Sequence, residues 1–190
     1  QEVFLMKKWS TKDIIILALI GFLFGGIFLA AGWIYAALEA ALTPLGYQPF
    51  ANEILFGLWV MAAPVAAILV KKPGSATLGE VLGALAEMLY GSFFGAGVII
   101  SGIVQGLGSE FGFFVTKYKR YDYKSLFLSA IGITLFSFVF EYFKLGYEAY
   151  STGLILALLV VRFISVIIFG VICVKLILNI INKVQKSGNE

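Results

Sequence analysis

DIIILALIGFLFGGIFLAAGWIYAAL, residues 13–38, carries a single charged side chain, the Asp at its start. A helix rises 1.5 Å per residue, so about 20 apolar residues match the hydrocarbon core of a bilayer. Five further runs read the same way: 51–70, 76–90, 93–116, 125–143 and 152–181. Together the six fill most of the 190-residue chain. The run 76–90 is short and holds Glu80 and Glu87, but its flanks support it. Lys71-Lys72-Pro73-Gly74-Ser75 makes a turn with a capping serine before it, and Gly91-Ser92 closes it. The expected fold is all-α, one transmembrane domain of six helices over residues 6–190. Residues 1–5 read as additions ahead of a native start at Met6, with no cleavable signal peptide, because the first run is too long for one.

Composition agrees. The chain is 61% hydrophobic and 13% charged, about half the charge of a soluble domain. The net charge of +3 does not point to nucleic acid, because its placement follows a membrane pattern. Lys7, Lys8 and Lys12 precede the first run; Lys71 and Lys72 join the second to the third. Lys117, Lys119, Arg120 and Lys124 join the fourth to the fifth, and Lys183 and Lys186 follow the sixth. With six spans all of these fall on one side, which the positive-inside rule makes cytoplasmic, along with both termini. The opposite loops hold Glu39, Glu53, Glu141 and Glu148 but only Lys144. Those loops, 39–53 and 141–151, are rich in turn formers and tyrosines. They read either as an interfacial aromatic belt or as a lid over an outward-facing pocket.

The absence of His removes imidazole metal sites, Ser-His or Cys-His catalysis and His proton relays. No cofactor and no metal are expected. The single Cys173 reads as packing. No phosphate-binding GxxxxGK[ST] loop is present, so ATP-driven work would need a partner chain.

Ionisable groups inside an apolar span are costly unless paired or facing a polar cavity, so Glu80, Glu87, Glu110 and Arg162 stand out. Counting rise per residue puts Glu87 and Gln105 at one height, about 18 Å above the inner boundary, with Arg162 about 15 Å below the outer one. Glu80 and Glu110 fall in a lower layer and suit a structural role near the inner surface. Arg162 is expected to neutralise Glu87 or Glu110. A carboxylate beside an amide, Glu87 with Gln105, offers acceptors and donors to a planar edge such as an aminopyrimidine, or a seat for a cation among aromatic rings. Gly21-x-x-x-Gly25 and Gly26-x-x-x-Ala30 in the first run, and the glycines of 95–112, permit close helix approach, within the bundle or toward a partner.

The stretch 71–110, KKPGSATLGEVLGALAEMLYGSFFGAGVIISGIVQGLGSE, resembles the YkoE family. So do Tyr47-Gln48-Pro49, Gly57-Leu58-Trp59, Gly146-Tyr147-Glu148-Ala149-Tyr150-Ser151 and Val161-Arg162-Phe163-Ile164-Ser165. These are substrate-binding S components of energy-coupling factor (ECF) transporters, associated with thiamine and its hydroxymethylpyrimidine precursor. The resemblance implies the six-helix S-component fold, a vitamin site near the outer surface, and a plasma-membrane complex with a transmembrane T subunit and two ABC-type ATPases. It carries Glu87, Gln105, Tyr90, Trp59, Tyr47, Tyr147 and Tyr150 over as pocket candidates. S components meet the T subunit through small residues of the first helix, commonly Ala-x-x-x-Ala; here Gly21 and Gly25, with Ala18 a turn away, stand in that place. The expected function is a non-catalytic receptor subunit for hydroxymethylpyrimidine or thiamine, with pyridoxine as another fitting ligand. Two other classes stay open: an intramembrane enzyme using Glu80 and Glu110 as an acid/base pair, and a purely structural subunit.

Overall fold

The computed structural model describes residues 8–187, and their elements are all helical. The expected start at Met6, residues 1–5 and Lys7 lie outside the described residues, as does the side chain of Lys186. The helices are α1 (Thr11–Leu42), α2 (Pro49–Leu55), α3 (Ala62–Val70), α4 (Ser75–Leu89), α5 (Gly97–Val115), α6 (Tyr123–Lys144), α7 (Thr152–Val166) and α8 (Val174–Ser187). A 3₁₀ stretch, Phe56–Val60, runs between α2 and α3, and a π-helical stretch, Ile167–Cys173, between α7 and α8. The six expected runs are thus six helical rods.

Five of the rods are long and apolar enough to cross a membrane among the described residues: Thr11–Leu45, Pro49–Val70, Gly97–Val115, Tyr123–Lys144 and Thr152–Val184. The run 76–90 forms α4, whose 15 residues reach only about 22 Å. The run 93–116 starts late, at Gly97, because Gly91 (φ 95°) and Gly95 (φ 61°) take left-handed backbone angles. The segment between them turns Phe93 and Phe94 back over the bundle instead of extending the helix. The second rod is interrupted for a different reason. The Gly57 amide donates to Ser165 Oγ (2.9 Å) and Ser165 Oγ donates to the Ile54 carbonyl (2.8 Å), stitching the break to α7.

Helix starts are capped deliberately. Ser10 and Asp13 form a reciprocal capping box on α1, and Asp122 and Ser125 form one on α6. Asp13 also pairs with Lys72, tying the start of α1 to the turn before α4. Two helix starts are capped from neighbouring helices. Glu110 of α5 accepts from the Gly74 (2.7 Å) and Thr77 (3.2 Å) amides at the start of α4. Glu80 of α4 accepts from the Ala63 amide (2.8 Å) at the start of α3. Amides at a helix start lack a partner within their own helix, so a carboxylate beside each one, buried for Glu80 and half-buried for Glu110, satisfies the donor.

Contacts set the helix directions. Gly21 faces Leu82 and Gly25 faces Ala86, so α1 and α4 run parallel. Gly102 faces Ala84 and Gly106 faces Thr77, so α5 runs against α4; Gly108 meets Gly132 and Gly112 meets Ser129, so α6 runs against α5. The lysine-bearing turns 71–74 and 116–122 therefore share one end of the bundle, and the loops 43–48, 90–96 and 145–151 share the other. Large apolar side chains such as Ile14, Leu19, Leu23, Trp33, Phe143 and Ile180 cover the outside, as a lipid-facing surface requires.

The seam between α1 and α4 yields a paired prediction. A Cβ on Gly25 would sit 2.5 Å from that of Ala86, whereas one on Gly26 meets nothing within 4 Å. Gly25→Leu is expected to lower the thermal unfolding midpoint in detergent, by overpacking worth about 1–3 kcal/mol or more, and Gly26→Leu to leave it unchanged.

Candidate functional site: a polar cavity beside a buried ion cluster

Arg162 of α7 has no exposed surface. Its Nε donates to Glu53 Oε2 (2.5 Å) and its Nη2 to both Glu53 Oε1 (2.8 Å) and Glu141 Oε2 (2.5 Å). Its Nη1 donates to Ser137 Oγ (3.2 Å). The guanidinium lies 4.0 Å from the centre of the Phe56 ring and 5.1 Å from that of Phe138, adding cation–π attraction on two faces. Tyr147 donates its phenol proton to Glu53 Oε1 (2.6 Å), and Asn52 Nδ2 donates to Glu141 Oε2 (2.9 Å). Burial, and then the charge of Glu53, push the Tyr147 phenol well above its ordinary pKa, so it remains a donor.

This corrects the expected pairing of Arg162 with Glu87 or Glu110. Glu53 and Glu141 read as loop residues in the sequence, yet Glu53 is fully buried in α2 and Glu141 nearly so in the last turns of α6. The physical reason is the short helix α2, started by Pro49, which carries Glu53 inward rather than letting residues 39–53 loop into solvent.

Next to the cluster lies a cavity of about 170 Å³ at the bundle end away from the lysine-bearing turns. Its polar lining is Asn52, Glu87, Ser101, Gln105, Glu141 and Lys144, and its aromatic lining is Phe28, Tyr35, Phe56, Trp59 and Phe94. The Trp59 indole is fixed by a hydrogen bond from Nε1 to the Phe28 carbonyl (3.1 Å). Tyr35, Trp59 and Phe94 form a box, with ring centres 5.6–5.9 Å apart and all three pairs inclined to one another. Glu87 comes from α4 and is 3% exposed; its Oε1 accepts from Ser92 Oγ (2.9 Å). Gln105 comes from the facing side of α5 and is 7% exposed. Ser101, a turn from Gln105 along the same face, accepts from Lys144 Nζ (3.1 Å) at the rim.

The structure brings three of the seven sequence-derived pocket candidates, Glu87, Gln105 and Trp59, together on this cavity. The other four lie elsewhere. Tyr147 is behind the wall in the ion cluster, and Tyr150 packs on it with ring centres 5.6 Å apart. Tyr90 lies on the outside of α4, donating to the Phe22 carbonyl of α1 (3.1 Å). Tyr47 is 57% exposed and leans on Phe50. Of the docking candidates, Ala18 is on the exposed face of α1, while Gly21 and Gly25 are buried against α4. Glu80 and Glu110 are each committed to the backbone amides of a different helix start, which gives neither the partner an acid/base pair needs.

Sequence reasoning missed Phe94, Tyr35, Asn52, Glu141 and Lys144. Gly91 and Gly95 bracket Phe94 and could have exposed it as a loop residue. Asn52-Glu53 with Glu141 carried a signal too: acidic groups across two loops matched the one Arg in the last run.

Comparison with known proteins gives three concordant matches. Residues 12–136 match a family model described as "ABC-type cobalt transport system, permease component". YkoE of Bacillus subtilis (strain 168), named as a proposed HMP/thiamine permease protein, is 38% identical over 160 residues, which is 84% of this chain and 78% of that protein. A crystal structure of an S component of an ECF transporter superposes with a TM-score of 0.85 at 32% identity, over 94% of this chain and 88% of that one.

The ion cluster makes a stability prediction. Arg162→Met leaves two buried carboxylates facing each other without a cation. The expected cost is about 3–5 kcal/mol, read as a marked fall in the thermal unfolding midpoint of the purified protein; an unchanged midpoint would contradict the pairing.

Proposed function

The chain belongs to the YkoE family of ECF-transporter S components, and from that premise we propose that it is the substrate-binding subunit of an importer for hydroxymethylpyrimidine or thiamine. The observation that carries this reading is the convergence of Glu87, Gln105 and Trp59 on one cavity walled by Tyr35 and Phe94. The relative's name supplies the ligand class. The cavity chemistry fits it: a flat heteroaromatic ring stacks in the box, each good aromatic pair adding about 0.5–1.5 kcal/mol beyond area burial. Glu87 accepts from an exocyclic amine, and the Gln105 amide both donates to and accepts from the ring edge. The cobalt in the family description is not carried over, because the cavity offers no His or Cys side chain.

An S component is a receptor and not a catalyst; the energy for import comes from elsewhere in the complex. The proposed assembly is this chain with a transmembrane T subunit and two ABC-type ATPases in the plasma membrane. In the proposed topology α4 completes six spans, the lysine-bearing end faces the cytoplasm with both termini, and the cavity opens outward. Ligand enters past Lys144 and Leu145, and the loop holding Phe94 closes over it. The T subunit docks on the outward face of α1, where Gly26 and Ala30 lie one turn apart and add little bulk, with Ala18 on the same face beyond the exposed Phe22. Gly21 and Gly25 hold that helix from behind by admitting α4. Tyr147 and Tyr150 support the wall, and Tyr47 and Tyr90 take no ligand contact in this arrangement.

Two experiments test the reading. Isothermal titration of hydroxymethylpyrimidine and thiamine into purified protein is expected to show binding that Glu87→Gln and Gln105→Ala each weaken at least tenfold without shifting the unfolding midpoint. Affinity unchanged in both variants would contradict the site. For the docking face, Ala18→Trp is expected to abolish uptake in cells carrying the whole transporter while ligand affinity of the isolated chain is kept; normal uptake would contradict that surface.

A further inference from the structure

Arg162 meets two carboxylates, so the cluster holds one negative charge more than it can neutralise. The two carboxylates are not equivalent. Glu53 has no exposed surface, and both its oxygens are taken, Oε2 by Arg162 Nε and Oε1 by Arg162 Nη2 and Tyr147. Glu141 is 7% exposed and lines the cavity. Only its Oε2 is engaged, by Arg162 Nη2 and Asn52 Nδ2; its Oε1 takes no hydrogen bond among the described residues. The surplus charge therefore resides on the carboxylate that borders the cavity, and Arg162 and Asn52 fix its direction.

The rest of the lining does not cancel it. Glu87 adds a second carboxylate, whose side-chain partner is the neutral Ser92 hydroxyl. Lys144 is the one cation that lines the cavity among the described residues, and it lies exposed at the rim, directed to Ser101 and over the Phe140 ring at 5.4 Å. Two carboxylates thus face one solvated ammonium. Beside them stands the Tyr35–Trp59–Phe94 box, whose ring faces attract a cation and are indifferent to a neutral molecule of the same shape beyond stacking.

We infer that Glu141, aimed by Arg162 and Asn52, is the specificity-determining residue that makes this cavity prefer a cationic heteroaromatic ligand over a neutral one. The inference rests on the cavity being the ligand site. Within the two-ligand reading above it selects thiamine, whose azolium ring carries a fixed positive charge, over hydroxymethylpyrimidine, which carries none. It also explains why an arginine is buried here at all: the guanidinium orients a carboxylate that would otherwise rotate, while a second carboxylate keeps the first from being fully neutralised.

The test compares three ligands by isothermal titration into the purified full chain: thiamine, its neutral carbon isostere 3-deazathiamine, and hydroxymethylpyrimidine. Wild-type protein is expected to bind thiamine at least tenfold more tightly than 3-deazathiamine. Glu141→Gln is expected to erase most of that ratio, lowering thiamine affinity more than that of either neutral ligand. Equal wild-type affinity for thiamine and its neutral isostere overturns the inference without needing the variant. So does a Glu141→Gln loss that is the same for charged and neutral ligands, since that is what a purely structural role would give. Both of those outcomes leave the vitamin-binding reading standing; failure of all three ligands to bind wild-type protein overturns that reading and this inference together.

Discussion

A guanidinium with no exposed surface, in a chain with a mean hydropathy of +0.97, must be matched on the spot. Arg162 is matched by Glu53 from α2 and Glu141 from α6, with Tyr147, Asn52 and Ser137 completing the donors and acceptors. That requirement pulls four separated segments to one point. It draws α2 inward, sets the end of α6 against α7, and seats the 145–151 loop. Both the floor of the loops and one wall of the cavity follow from it. A buried pair of this kind is not a stability device in itself, because desolvation offsets much of the Coulomb gain. Its worth lies in the geometry it enforces on the groups bordering the cavity.

The opposite wall depends on close backbone approach. α4 is too short and too polar to be a membrane anchor alone, carrying Glu80 and Glu87 within 15 residues. It is held instead by its neighbours: α1 meets it at Gly21 and Gly25, α5 meets it at Gly102 and Gly106, and Glu110 caps its start. Because α4 is clamped on both sides, Glu87 is delivered to the cavity that Gln105 also lines. The same clamping accounts for Glu80, whose carboxylate satisfies the start of α3 where the second rod is interrupted.

The helical rods were legible in the sequence because uninterrupted apolar runs leave the chain few alternatives in a bilayer. That Glu87 and Gln105 reach one cavity agrees with their reading as a pair, although the α4–α5 register, with Gly102 against Ala84 and Gly106 against Thr77, sets Glu87 closer than Gln105 to the outer end of the bundle. The partner of Arg162 was not legible. The expectation weighed only Glu87 and Glu110, whereas the true partners, Glu53 and Glu141, stand at the outer ends of the runs 51–70 and 125–143, where they read as part of the solvent loops. Tertiary folding of α2 moved Glu53 inside, and no local pattern announces that. The tyrosines of those loops misled for the same reason: Tyr147 is spent on Glu53 rather than on the cavity. Phe94 was hidden inside an apolar run that glycine geometry breaks.

The most direct measurement of the central claim is a ligand-bound structure of this chain with thiamine. The account predicts a ring seated against the Tyr35–Trp59–Phe94 box, its polar edge against Glu87 and Gln105 and its positive ring toward the free oxygen of Glu141. A ligand lodged on the outer tyrosines, or an empty cavity with thiamine bound elsewhere on the bundle, would contradict it.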